Sequence, residues 1–200
     1  QAKSDDKKLL HEIEIIEKLI EHCGDGFWAN TIGLETPEEI KTIKSLHLLT
    51  NKPILYVANL SENDIVNNVE NEYVNSLNNY VKSKGSTLIK FCASIEQEIS
   101  SLSPEEEEIF LKEYNLNESG LNKMIRASFD LLGLHTFFTG GPTEVRAWTI
   151  PIGATAKESA GVIHSDFERG FIKAEVFSCS DLIEHGSENA LYELGLAKTE

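Results

Sequence analysis

The stretch Asn51-Lys52-Pro53-Ile54-Leu55-Tyr56-Val57-Ala58-Asn59-Leu60-Ser61-Glu62 decides how the rest of the chain is read. Residues 54–58 form an unbroken apolar run that follows a proline and leaves into a polar turn. That is the pattern of a parallel strand covered on both faces. Thr87-Leu88-Ile89-Lys90-Phe91-Cys92-Ala93 repeats it after the turn Lys84-Gly85-Ser86. Between the two runs, Val69, Tyr73, Leu77, Tyr80 and Val81 fall at helical spacing. Strand, helix, strand is one βαβ unit, which places this part of the chain in the α/β class with a parallel sheet. Ligands of such sheets bind outside the carboxyl ends of the strands. Two loops hold that position here: Asn59-Leu60-Ser61-Glu62 after the first strand, and Ala93-Ser94 after the second.

On the N-terminal side, Leu9, Ile13, Ile16 and Ile20 are spaced 4, 3, 4, a short coiled-coil seam widened by Leu10, Ile15 and Leu19. Gly24 and Gly26 stop that helix. Thr36-Pro37-Glu38-Glu39 has the cap, N1 proline and acidic first turn of a second helix. Ile40, Ile43, Leu46 and His47 give it an apolar side, with His47 read as a packed core histidine. On the C-terminal side, Ser103-Pro104-Glu105-Glu106 is a capping box, so the run Glu105–Glu108 reads as a helix turn rather than a metal site. Leu121, Met124, Ile125, Ser128, Leu131 and Leu132 mark a further helix ended by Gly133. After it, Thr136-Phe137-Phe138 and 145–150 form a hairpin around Gly140-Gly141-Pro142. A short helix over 155–163 and a strand over 171–177 complete a small α+β domain with no closing strand before Glu200.

The 200 residues are 40% hydrophobic and 26% charged, an ordinary globular composition. Acidic residues number 33 against 18 basic ones, a net charge of −15 spread along the whole chain. Such a chain lacks the sequence-independent attraction to phosphate that drives general nucleic-acid binding, and DNA is not an expected partner. No apolar stretch approaches the ~18 residues of a spanning helix. The polar start Gln1-Ala2-Lys3-Ser4-Asp5-Asp6 is no signal peptide, so a soluble cytoplasmic protein without a membrane partner is expected. Cys23, Cys92 and Cys179 lie far apart and read as buried free thiols.

The chemistry centres on Asn59 and Glu62. Asn-x-x-Glu occurs three times, also at Asn67/Glu70 and Asn115/Glu118, but only the first leaves a buried strand. An amide offers a donor and an acceptor and a carboxylate offers acceptors, a combination suited to the hydrogen-bonding edge of a purine. Backbone N–H groups at Ala93 and Ser94 would close the pocket. The competing reading makes Asn59 a turn former and Glu62 a first-turn helix acid. Elsewhere, Cys92 lacks a neighbouring base in sequence, and His164-Ser165-Asp166 has hydrolase residue types without relay spacing. Arg146, Lys157, Arg169 and Lys173 are four of the five basic residues after position 130 and form a candidate RNA-facing patch, with scattered surface charge as the alternative. Trp28 and Trp148 read as packing residues.

Residues 51–62 resemble the base-recognition segment of the YchF or Obg-like ATPases, a branch of the Obg family within the translation-factor GTPases. Phe91-Cys92-Ala93-Ser94 resembles the short loop that closes over the base in that superfamily. The segments 134–139 and 145–150 look like the start of the family's TGS domain. So does the long stretch Ala160-Gly161-Val162-Ile163-His164-Ser165-Asp166-Phe167-Glu168-Arg169-Gly170-Phe171-Ile172-Lys173-Ala174-Glu175. The helical hairpin fits the family's coiled-coil insertion. The resemblance implies three parts: a coiled-coil hairpin at 1–50, the C-terminal part of a P-loop nucleotide-binding domain with a parallel sheet at 51–132, and a C-terminally incomplete β-grasp TGS domain at 133–200. It implies ATP as substrate, Mg²⁺ as cofactor, and a ribosome or ribosomal RNA as partner through the TGS and coiled-coil parts.

Ordinary GTPases of this superfamily carry Asn-Lys-x-Asp, whose aspartate accepts two donors from guanine. Glu62 is one methylene longer and has no matching pair of donors on adenine, so guanine selectivity is relaxed, while Leu60 in place of lysine can lie against the ring. Adenine contacts by Asn59, Leu60 and Glu62 are what the resemblance implies. The chain has no Gly-x-x-x-x-Gly-Lys-[Ser/Thr] loop to cradle phosphates, so the phosphate and magnesium ligands are expected outside it, and this piece alone should hydrolyse nothing. The rival expectation is a non-catalytic ribosome or RNA adaptor acting through the hairpin and the TGS part.

Overall fold

The computed structural model describes residues 7–141 and 143–200; the polar start at 1–6 and Pro142 of the expected hairpin turn lie outside the described residues. The chain is mixed α/β and divides into two compact units, one ending at Ala93 and one running from Ser94 to Glu200.

The first unit opens with α1 (Lys7–Gly24), which stops where Gly26 takes a left-handed φ of 87°. Helix α2 (Pro37–Ser45) starts as expected: Thr36 Oγ1 accepts the Glu39 N–H, and the Glu39 carboxylate accepts the N–H groups of Glu35 and Thr36. The side of α1 that is buried differs from the expected seam. Ile15 and Leu19 pack with Ala29 and Ile43, backed by Ile32, Leu34 and Leu48, while Leu9, Leu10, Ile13 and Ile20 are exposed. A 4-3-4 spacing marks a stripe but cannot choose between overlapping stripes. The choice falls to what lies opposite, here a nine-residue helix and the loop that delivers Ala29. His47 is not a core residue. The helix ends at Ser45, and His47 sits beyond it, exposed, at a left-handed φ of 50°.

Strand β1 (Leu55–Asn59) is followed by a short α3 (Glu62–Val66), then α4 (Glu72–Ser83) and β2 (Thr87–Phe91). The two strands pair in parallel from Leu55↔Thr87 to Asn59↔Phe91, as the βαβ reading requires. Helix α4 buries Val74 and Val81; Tyr73, expected on its inner stripe, is 85% exposed, and Val69 precedes the helix. Tyr80 of α4 meets Tyr56 of β1 edge-on at 6.0 Å. Val57, pointing to the opposite face of the strand from Tyr56, is 41% exposed.

Beyond β2 the chain enters α5 (Ala93–Ile99), then α6 (Pro104–Glu113) and α7 (Gly120–Leu132). The capping box at Ser103 and Glu106 forms as read, and Glu108 pairs with Lys112 at 2.6 Å. Gly133 ends α7 at a left-handed φ of 63°, which a side chain would strain. Strands β3 (Leu134–Gly140) and β4 (Val145–Pro151) make the expected antiparallel hairpin. Helix α8 (Ala156–Ile163) follows, capped by Thr155 and Glu158, and then α9 (Ser165–Arg169). These two helices approach closely at Gly161, where an added Cβ would fall 2.8 Å from Glu168 Oε2.

The expected strand 171–177 contracts to β5 (Glu175–Val176), and the chain then forms α10 (Cys179–His185), α11 (Glu188–Glu193) and β6 (Lys198–Thr199). β6 pairs antiparallel with β5 in a two-stranded sheet separate from β3–β4, and the ladder is continued by paired hydrogen bonds between Ala174 and Glu200. Leu191 is fully buried beneath this part. Of the three thiols, Cys92 is buried, but Cys23 and Cys179 are exposed, against expectation. No helix among the described residues is long and apolar enough to cross a membrane.

Candidate functional site

The register ends at Asn59↔Phe91, so the carboxyl ends of β1 and β2 finish level. Past that point β1 turns away, with the Leu60 N–H still bonded to the Phe91 carbonyl at 2.7 Å. After Cys92 the chain coils into α5, placing Ile95 and Ile99 on its buried side. Ala93 is consequently the first residue of a helix, not the last of a strand. Asn59 spans the two loops: its Oδ1 accepts the Ala93 N–H at 3.1 Å. That N–H, read from sequence as part of a pocket wall, is thus engaged by the protein's own amide, which still has its two N–H donors.

Glu62 occupies the first turn of α3, exposed, behind the N-cap Ser61, whose hydroxyl accepts the Asp64 N–H at 3.2 Å. This is the helix position named by the alternative reading, where a carboxylate gains from the helix dipole while its oxygens stay accessible. Leu60 is half-buried between Asn59 and the cap. Ser94 follows Ala93 as the second, exposed residue of α5 and begins the second unit. Two groups at these loops were not anticipated. The Phe91 carbonyl anchors Leu60, a backbone contact that no side-chain pattern encodes. Glu96 of α5 binds the backbone of α7 at Gly120 and Leu121, a pairing across 24 residues with no local signature.

The four basic residues of the candidate RNA patch lie on separate elements of the second unit. Arg146 on β4 stacks its guanidinium over Trp148 at 4.3 Å, and the Trp148 Nε1–H donates to Thr139. Lys157 lies on α8, and Arg169 at the end of α9 pairs with Asp166 at 3.8 Å. Lys173 borders an open groove of 440 Å³ also lined by Phe167, Phe171 and Ile172. His164 is the N-cap of α9: its Nδ1 accepts the Asp166 N–H at 3.2 Å. Lys84 lies over the Trp28 ring at 5.5 Å.

A family model for YchF-GTPase_C, described as a protein of unknown function (DUF933), matches residues 134–200. The whole chain is 46% identical over 199 residues to the ribosome-binding ATPase YchF of Bacillus subtilis, covering 100% of this chain and 54% of that protein. Over its whole length the chain is similar to YchF proteins. A second YchF relative, the ribosome-binding ATPase of Haemophilus influenzae, is 41% identical over 98% of this chain and 53% of its own length. The structure of the Schizosaccharomyces pombe YchF GTPase superposes with a TM-score of 0.81 at 32% identity, over 100% of this chain and 54% of that one. The chain thus spans about half the length of the YchF relatives it matches.

Proposed function

We propose that this chain is the base-recognising and C-terminal part of a cytoplasmic, ribosome-associated ATPase, built from part of a P-loop domain, a coiled-coil hairpin and a TGS domain of β-grasp type. The observation that carries the reading is the Asn59–Ala93 hydrogen bond, which ties together the two loops at the carboxyl ends of paired parallel strands. In an open parallel sheet that is where a nucleotide binds. Asn59 and the Leu60 backbone meet the adenine edge, the Leu60 side chain lies against the ring, and Glu62 relaxes the demand for guanine. Ala93 forms the opposite wall, with Ser94 next to it in the chain. The names of the B. subtilis and H. influenzae relatives support both the nucleotide and the ribosome.

Hydrolysis is transfer of the terminal phosphoryl group to water. It needs Mg²⁺ to neutralise charge on the phosphates and backbone N–H groups to hold them. Among the described residues no three His, Cys, Asp or Glu side chains gather to hold a metal. In this reading the chain's residues bind and orient the base, and phosphate and metal binding fall to other segments of the full-length protein. Titrating that protein with ATP and with GTP tests the reading: ATP binding below about millimolar is expected. Failure of both nucleotides to bind in that range removes the enzyme and leaves the adaptor.

A further inference from the structure

Selection between purines by one methylene at residue 62 needs a backbone that holds still, since a mobile Cα would absorb the difference. Glu62 opens α3, a helix of five residues with none buried. Its front is anchored by the Leu60 N–H on the Phe91 carbonyl and by the Ser61 cap. Half-buried Ile65 and Val66 seat the helix, and a further anchor at its far end would fix its tilt. The turn there moves with the helix, because the Asn68 N–H donates to the Ile65 carbonyl at 3.2 Å and the Val69 N–H to the Asp64 carbonyl at 2.9 Å.

Lys90 of β2 reaches that turn. Its Nζ lies 3.5 Å from Asn68 Oδ1 and 3.4 Å from Glu70 Oε1, with Asn68 at a left-handed φ of 48°. Lys90 pairs with Ala58 in the β1–β2 ladder, one residue before Asn59↔Phe91 at the strand ends. Its side chain is 31% exposed against 61% for Glu70, so the ammonium is partly shielded from solvent. All of these residues, with Asn59 and Glu62, lie in the first unit. We infer that Lys90 is a positioning residue for purine selection, tying the turn after α3 to β2 and so fixing the backbone that carries Glu62. This rests on the reading of Glu62 as the residue that relaxes the demand for guanine. With the tie in place, the longer carboxylate keeps guanine out of register. Without it, α3 backs away and Glu62 meets the two guanine donors.

The test uses full-length protein titrated with ATP and with GTP, each with Mg²⁺, alongside thermal melting. Lys90→Met is expected to raise the ratio of GTP to ATP affinity about threefold, the scale of one partly exposed ion pair. Glu70→Gln weakens the same contact from its other side and shifts the ratio in the same direction, which supplies the readout should Lys90→Met fail to fold. Lys90→Arg keeps the cation and restores the ratio. In a Glu62→Ala background, Lys90→Met leaves the ratio where Glu62→Ala alone puts it, because no carboxylate remains to be placed. A Lys90→Met protein that melts lower with an unchanged ratio overturns the inference, as does an equal shift with and without the Glu62 side chain. Glu62→Ala alone separates the underlying reading: if it does not move the ratio, residue 62 does not choose the purine, and Lys90 falls with it. If Glu62→Ala moves the ratio and Lys90→Met does not, only the role of Lys90 is lost.

Discussion

Asn59 and Glu62 stand three residues apart and are held very differently. The Asn59 amide is fixed by the Ala93 N–H, so its remaining donors have a defined direction. Glu62, on an exposed helix turn, is free to follow the ligand. Selectivity between purines should therefore respond to residue 62 through reach, and to residue 60 through what covers the ring. The double substitution Glu62→Asp with Leu60→Lys is expected to shift the ratio of GTP to ATP affinity upward by about tenfold, the scale of one gained charge-assisted contact. Equilibrium titration with both nucleotides measures it; an unchanged ratio would show that Glu62 does not set the choice.

Elements in this chain are held at their ends as much as by their faces. In the hairpin, Ile43 is fully buried between α1 and the loop at Ala29, whereas Ile40, one turn earlier, is exposed. Ile43→Ala should cost the first unit about 2–5 kcal/mol through lost burial and a residual cavity. Ile40→Ala should cost about 0.5 kcal/mol or less. Denaturant titration followed at Trp28 distinguishes the two. Helices α2, α6 and α8 all begin with a capping box, and backbone N–H bonds hold the carboxyls of Glu39, Glu106 and Glu158 below the ordinary value of 4.5. A carboxyl lowered in the fold stabilises fully above its unfolded value, and loses that contribution as pH falls through the folded value. The melting temperature is expected to hold from pH 7 to about pH 5 and to drop below about pH 4.5, with the drop reduced in a triple Glu→Gln variant at 39, 106 and 158.

At the scale of the whole chain, a net charge of −15 opposes approach to RNA phosphate, so the proposed ribosome association would rest on local groups. Of the basic candidates, Arg169 is paired with Asp166, and Arg146 lies over the Trp148 ring. Charge reversal at Arg146 and Lys173 is expected to lower co-sedimentation of the full-length protein with ribosomes several-fold at low salt, with the difference narrowing as salt rises. Equal co-sedimentation of the two proteins at low salt would place the contact elsewhere.

Much of this was legible in the residues alone. Local chemistry wrote the N-cap at Thr36, the capping box at Ser103, the glycine stop at Gly133, the β3–β4 hairpin and the parallel β1–β2 pair, because each depends on neighbours within a few positions or on an uninterrupted apolar run. Burial was not legible in the same way. Ile15 rather than Ile13, Val74 rather than Tyr73, and an exposed His47 were settled by which surface each helix meets and where α2 stops. The two-residue strands β5 and β6 have no pattern long enough to see, since they exist only through pairing with each other. Sequence by itself determined where α2 and α6 start and α7 ends, which runs become β1 to β4, and which loops sit at the ends of β1 and β2. Only the tertiary structure decided which stripe is buried, that Asn59 holds Ala93 and that Glu96 holds α7, because those contacts join residues 24 to 34 positions apart, beyond the range of any local propensity.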